Sequence, residues 1–143
     1  MSDPAFQEDS LRSAPFFADL APEDLQGILR IARPGSFAAG EAIVRQGDAG
    51  DGMYLLVEGA AEVDVGGRFH RLAPGDFFGE MALVSSRKRI ATVTATEPVR
   101  ALVIPPDAFR SFVLEHPRVA LSMLEAVVER LREVEQRIDA WMA

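Results

Sequence analysis

The sequence predicts a mainly β domain, a barrel or double-sheet roll, with a helix before it and a long helix after it. Three observations carry this prediction. Between Phe37 and Ile104, short apolar or alternating runs recur between glycine-rich breaks, the pattern of a barrel or double sheet. No strand–helix–strand repeat interrupts them, which argues against a parallel α/β sheet. On either side the apolar residues change to steps of three and four, the helical period.

In chain order, residues 1–12 are polar, carry Pro4 early and lack periodicity, so they read as a flexible leader to a single domain over 13–143. Pro22, followed by Glu23 and Asp24, marks a helix start, because the acids face the positive end of the dipole. Leu25, Ile28, Leu29 and Ala32 supply its apolar face, and Pro34-Gly35 reads as its stop. The roll spans about 37–104. Its strand runs are Ala42–Arg45, Met53–Val57, Ala61–Val65, Arg68–Leu72, Thr92–Ala95 and Val99–Ile104, and Gly66-Gly67 offers the positive φ values of a two-residue hairpin turn.

Helices resume at about 107 and run to about 141. Asp107 is the expected cap of a first helix through Phe109, Phe112, Val113 and Leu114, broken at His116-Pro117. Ala120, Leu124, Val127, Leu131, Val134, Ile138 and Trp141 then alternate in steps of four and three, a heptad seam set among charged residues. Such a seam packs either on its own β-domain or against a second copy of the chain. A homodimer is the reading favoured here, because the seam continues past what a small roll easily covers.

At 143 residues with 48% hydrophobic and 26% charged residues, the composition is that of one globular domain. Met1-Ser2-Asp3-Pro4 lacks a basic, then apolar, secretory pattern, so a cytoplasmic location is expected and no membrane partner. A formal net charge of −7 argues against nucleic acid as a partner, since phosphate contacts need a basic face. There is no cysteine, and His70 and His116 stand without ligand-spaced partners, so no metal or other cofactor is expected. No nucleophile–base pair or carboxylate dyad stands out, and the chain is not read as an enzyme.

Chemistry concentrates in one stretch. Gly79-Glu80-Met81-Ala82-Leu83-Val84 reads as a short helix whose N–H groups face an anion, followed by Ser85-Ser86-Arg87-Lys88-Arg89, three cations in an acidic chain. One arginine with backbone N–H groups suits a phosphate, and one carboxylate suits a sugar hydroxyl. By residue type alone, the same run reads first as a solvated surface.

The order of motifs narrows this. Gly40-Glu41, Ile43-Val44-Arg45-Gln46-Gly47-Asp48, Gly50-Asp51, Tyr54, Val57, Gly59, Val63, Gly75-Asp76-Phe77-Phe78-Gly79-Glu80, Ala82-Leu83, Arg89 and Ala91-Thr92 closely resemble cyclic-nucleotide-binding domains. That family includes catabolite activator-like regulators, regulatory subunits of the cyclic-AMP-dependent kinase and cyclic-nucleotide-gated channels. The resemblance runs from Phe16 to Leu131 and implies an eight-stranded, jelly-roll-like double-stranded β-helix flanked by helices. It further implies that Glu80 accepts from a ribose 2′-hydroxyl, that Gly79 lets backbone approach the sugar, and that Arg89 pairs with the cyclic phosphate. Backbone N–H groups near Ala82 and of Ile90 and Ala91 would complete the anion cradle, with Met81, Val57 and Leu72 as apolar contacts. A residue around Glu129 to Glu133 on the C-terminal helix would close the pocket.

Three departures shape the expected function. Lys88 stands where a proline often precedes the arginine, and Ile90 where a small or hydroxyl residue is usual, which favours cyclic AMP over cyclic GMP. No winged helix-turn-helix, kinase-inhibitor or channel segment is read after the long helix. The expectation is a stand-alone signal-transduction sensor that binds cyclic AMP and reports through its C-terminal helix to an unknown effector protein. The alternative is a protein-interaction module of the same fold that has lost its nucleotide.

Overall fold

The structure, a computed structural model, describes residues 8–83 and 88–142, apart from the side chains of Met81, Arg130 and residues 138–142. Part of the expected leader is ordered into the domain: Glu8–Arg12 forms helix α1, with Leu11 wholly buried. Glu8 and Asp9 open this helix and Arg12 closes it, which complements the dipole, and Leu11 anchors an otherwise polar segment. The remainder of that stretch, 1–7, lies outside the described residues. A 3₁₀ helix at Pro15–Phe17 leads to α2, Pro22–Ile31, which begins with proline and two acids as expected.

The expected break at Pro34-Gly35 is instead strand β1, Arg33–Phe37. It pairs only with β8, Val99–Ile104, and an edge strand accommodates proline because its open side needs no ladder N–H. Between them come β2 (Ala42–Val44), β3 (Met53–Glu58), β4 (Ala61–Val65), β5 (Arg68–Leu72), β6 (Phe77–Phe78) and β7 (Thr92–Ala95). Two four-stranded antiparallel sheets result, in the orders β1-β8-β3-β6 and β2-β7-β4-β5. Gly66 and Gly67 turn β4 into β5 with φ of 59° and 86°, the left-handed pair that a tight hairpin requires.

The first sheet is a wall between two cores, which explains the unbroken apolar run of β3. Met53 and Leu55 face the helices, in a cluster with Phe17, Leu25, Ile28, Leu83, Phe109 and Val119. Tyr54 and Leu56 face the interior of the roll, with Ile43, Val44, Val63, Val93 and Ala101. A strand covered on both faces needs apolar residues at successive positions, whereas β4 alternates because one of its faces is wet. Each large apolar side chain so buried contributes about 1.5–3 kcal/mol.

Helices α3 (Pro106–Glu115) and α4 (Pro117–Met142) complete the domain. Asp107 lies within the first turn of α3 rather than capping it; Pro105 takes that position and offers no side-chain bond. Gly27 of α2 admits the Phe112 ring of α3 where a β-carbon would collide. The chain breaks at His116, whose ring stacks on Phe112 at 4.3 Å, and Pro117 opens α4. Arg118 then reaches back to α2, with Nε 2.9 Å from Asp24 Oδ2 and Nη2 2.7 Å from Glu23 Oε1.

Of the expected seam, Ala120, Leu124, Val127, Leu131 and Val134 are exposed along α4, as are Leu121 and Val128. The side chains of Ile138 and Trp141 lie outside the described residues. Among the described residues, no helix is long and apolar enough to cross a membrane.

Candidate functional site

Gly79 begins the site by its backbone. Its φ of 82° bends the chain out of β6 and into a 3₁₀ helix at Glu80–Leu83, and the space a β-carbon would fill is taken by Arg89. Leu83 anchors the far end of that helix in the core under α3, and Arg110 Nε donates to the Leu83 carbonyl oxygen at 3.2 Å. The roll interior beside this turn holds a cavity of about 340 Å³. Val44, Val63, Val65 and Val93 give it aliphatic walls, and Gly79, Glu80, Arg89, Ile90 and Ala91 line it from the turn.

Arg89 is the cationic centre. Its backbone is stitched to the β2–β3 loop, with N–H donating to Asp48 O at 2.8 Å and carbonyl accepting from Gly47 N at 2.9 Å. Only 9% of its side chain is exposed. Nη2 donates to Asp51 Oδ1 and to Gly52 O, each at 2.7 Å. Nε is buried and meets no acceptor among the described residues. A buried donor of a charged group left unpaired is unfavourable.

Tyr54 completes the constellation from β3. Its hydroxyl donates to Asp51 Oδ2 at 2.8 Å, and its ring lies 5.8 Å from the Arg89 guanidinium carbon. On its side the ring stacks flat on Phe78, 4.9 Å between centroids. Burial first, and then the hydrogen bond to Asp51, raise the Tyr54 phenol well above its ordinary value of 10.0.

Most residues that the sequence singles out meet here. Gly79, Glu80, Ala82, Arg89, Ile90 and Ala91 line one cavity, with Lys88 beside them, and Leu72 packs against the same interior cluster. Val57 does not join them: it packs against the core on the helix side of the wall. The Ala82 N–H does not stand free, because it closes the turn by donating to Gly79 O at 3.0 Å. The expected anion-facing helix is a 3₁₀ helix of four residues, too short to bring much of a dipole. The Met81 side chain and Ser85, Ser86 and Arg87 lie outside the described residues. Glu80 does not neutralise Arg89; Asp51 does. None of Glu129 to Glu133 lines this cavity among the described residues.

In the sequence, Asp51 and Tyr54 stand only as motif letters, without roles. Their three-residue spacing places a carboxylate at the end of the loop and a phenol inside the strand, but nothing in that spacing ties them to Arg89.

Comparison with known proteins agrees with this arrangement. A family model described as cyclic nucleotide-binding domain matches residues 34–116. The chain is 36% identical over 118 residues to a cyclic nucleotide-gated potassium channel of Rhizobium etli, covering 82% of this chain and 33% of the channel. It is 30% identical over 135 residues to the cyclic AMP receptor protein of Thermus thermophilus, covering 90% of this chain and 62% of the receptor. Among solved structures, the N-terminal domain of a transcriptional regulator from Streptomyces coelicolor superposes with a TM-score of 0.79 at 30% identity, covering 90% of this chain and 96% of that one. The chain thus spans about a third of the channel and under two thirds of the receptor.

Proposed function

Because the chain belongs to the cyclic nucleotide-binding domain family, we propose that it is a regulatory sensor, not an enzyme, whose cavity takes cyclic AMP. The observation that carries this reading is Arg89, a nearly buried cation that lines a cavity of about 340 Å³ together with Gly79 and Glu80. The cyclic phosphate pairs with the Arg89 guanidinium, Glu80 accepts from the ribose 2′-hydroxyl, and the valines of β2, β4 and β7 receive the apolar face of sugar and base. Ile90, 70% exposed at the cavity, supplies no hydroxyl for a guanine amino group, and this favours adenine. The response leaves through α4, whose exposed Leu124, Val127, Leu131 and Val134 pair with a second copy of the chain.

Calorimetric titration with cyclic AMP and cyclic GMP tests the assignment. Charged hydrogen bonds of this kind are worth about 1.5–3 kcal/mol, so Arg89→Ala weakens binding about 10- to 100-fold. Equal affinity in wild type and variant removes the reading. A second reading, an interaction module without nucleotide, draws on the fact that Asp51 and Gly52 already hold Arg89 Nη2. It predicts no thermal shift with either nucleotide, whereas a bound ligand stabilises the fold by about 2.7 kcal/mol at a hundredfold excess over Kd.

A further inference from the structure

We propose that Tyr54 is a positioning residue for the ligand: through Asp51 it holds the Arg89 guanidinium in the attitude in which it lines the cavity for an incoming phosphate. This deepens the cyclic-nucleotide reading and rests on it. Tyr54 is itself not among the residues that line the cavity. Its action runs through two partners that are tied to the cavity.

Asp51 is the weak link in the hold on Arg89. Its side chain is 62% exposed, so water competes for the carboxylate, and an exposed ion pair alone restrains little. Tyr54 is nearly buried and accepts no such competition. Its hydroxyl fixes Asp51 Oδ2, which leaves Oδ1 aimed at Arg89 Nη2. The carboxylate is thereby held at both oxygens, one by a rigid buried donor and the other by the cation.

The ring does a second task. It pairs in register with Phe78 across β3 and β6, and the two rings lie parallel within 2°. Phe78 is a cavity residue and immediately precedes Gly79, on which Arg89 rests. One tyrosine therefore fixes the guanidinium from the carboxylate side and the turn beneath it from the ring side. Burial first, and then this hydrogen bond to Asp51, raise its phenol above the ordinary value and keep it protonated.

The test is a double-mutant cycle read by calorimetry with cyclic AMP, using wild type, Arg89→Ala, Tyr54→Phe, Asp51→Ala and the Asp51→Ala/Tyr54→Phe pair. Tyr54→Phe keeps the stacked ring and removes only the hydroxyl, so affinity falls about 3- to 10-fold, the worth of one net hydrogen bond. In the Asp51→Ala background the same change leaves affinity unaltered, because the hydroxyl has nothing left to hold. Full and equal effects in both backgrounds, or no effect in either, overturn the inference while the nucleotide reading stands. No binding by wild type overturns the reading itself. Tyr54 is the only tyrosine in the chain, which allows a second measurement should Tyr54→Phe fail to fold. In protein labelled with 3-fluorotyrosine, cyclic AMP shifts the single fluorine resonance in wild type and not in Asp51→Ala. Equal shifts in both overturn the inference.

Discussion

A β-carbon on Gly79 would fall within the guanidinium of Arg89 and 2.7 Å from the carbonyl oxygen of Gly52. The glycine is thus a seat for the arginine as well as a turn. Its φ of 82° adds backbone strain to any side chain placed there. Gly79→Ala is expected to lower stability by about 1–3 kcal/mol and to weaken cyclic AMP binding at least as much as Arg89→Ala. Urea denaturation and calorimetry separate the two effects.

Glu80 is read as the acceptor of a ribose hydroxyl, and this predicts a ligand-specific loss. Glu80→Gln should weaken cyclic AMP by about 10-fold, since it exchanges a charged acceptor for a neutral one. The same variant and wild type should bind 2′-deoxy cyclic AMP with nearly equal affinity. A loss that is the same for both ligands would assign Glu80 to the fold of the turn instead.

Arg118 and Asp24 make a different kind of prediction. Asp24 is almost wholly buried, and the described hydrogen bonds to its carboxylate come from Arg118. Hydrogen bonding to Asp24, then its charge, raise the Arg118 pKa further, so the guanidinium stays charged. Arg118→Ala leaves a carboxylate buried without its cation, and it should destabilise the protein more than Glu23→Ala, whose partner keeps Asp24. Denaturant midpoints of the two variants decide the order.

Tyr54 also predicts a dependence on pH. Its folded pKa is raised, so its contribution to stability is complete below the unfolded value of 10.0 and is lost as pH climbs through the folded one. Urea midpoints of wild type should therefore fall from about pH 10 upward, and Tyr54→Phe should lack that component. A parallel decline in both proteins would place the alkaline sensitivity elsewhere.

The exposed face of α4 gives a test of the proposed response. Leu124→Asp with Leu131→Asp introduces charge into the seam, and sedimentation should show a dimer converted to a monomer with the roll intact. Wild type sedimenting as a monomer at the same concentrations would remove the pairing.

How far the sequence speaks depends on whether neighbours in space are neighbours in the chain. β3, β4, β7 and β8 announce themselves through apolar runs or alternation, because burial on one or two faces dictates residue type. β1 does not, since Pro34 and Gly35 mimic a break and only its edge position makes them harmless. β6 has two residues, too few for any period. In the site, Gly79, Glu80 and Arg89 follow one another closely and are recognised by order. The hold of Asp51 and Tyr54 on Arg89 forms only when the β2–β3 loop closes against the turn, so no local pattern foretells it.

The two-sided wall has a consequence for how this domain tolerates change in length. Along β3, Met53, Leu55 and Val57 belong to the helix side and Tyr54 and Leu56 to the interior of the roll, so inserting or deleting one residue exchanges the two. Such a frame slip would carry the Tyr54 hydroxyl among apolar helices and push Met53 and Leu55 toward the arginine. Helix docking and ligand capture would fail together, from a single codon. The Gly66-Gly67 turn, where a β-carbon meets nothing, is by contrast a place where extra residues, or a reporter peptide, can be spliced in without touching either compartment.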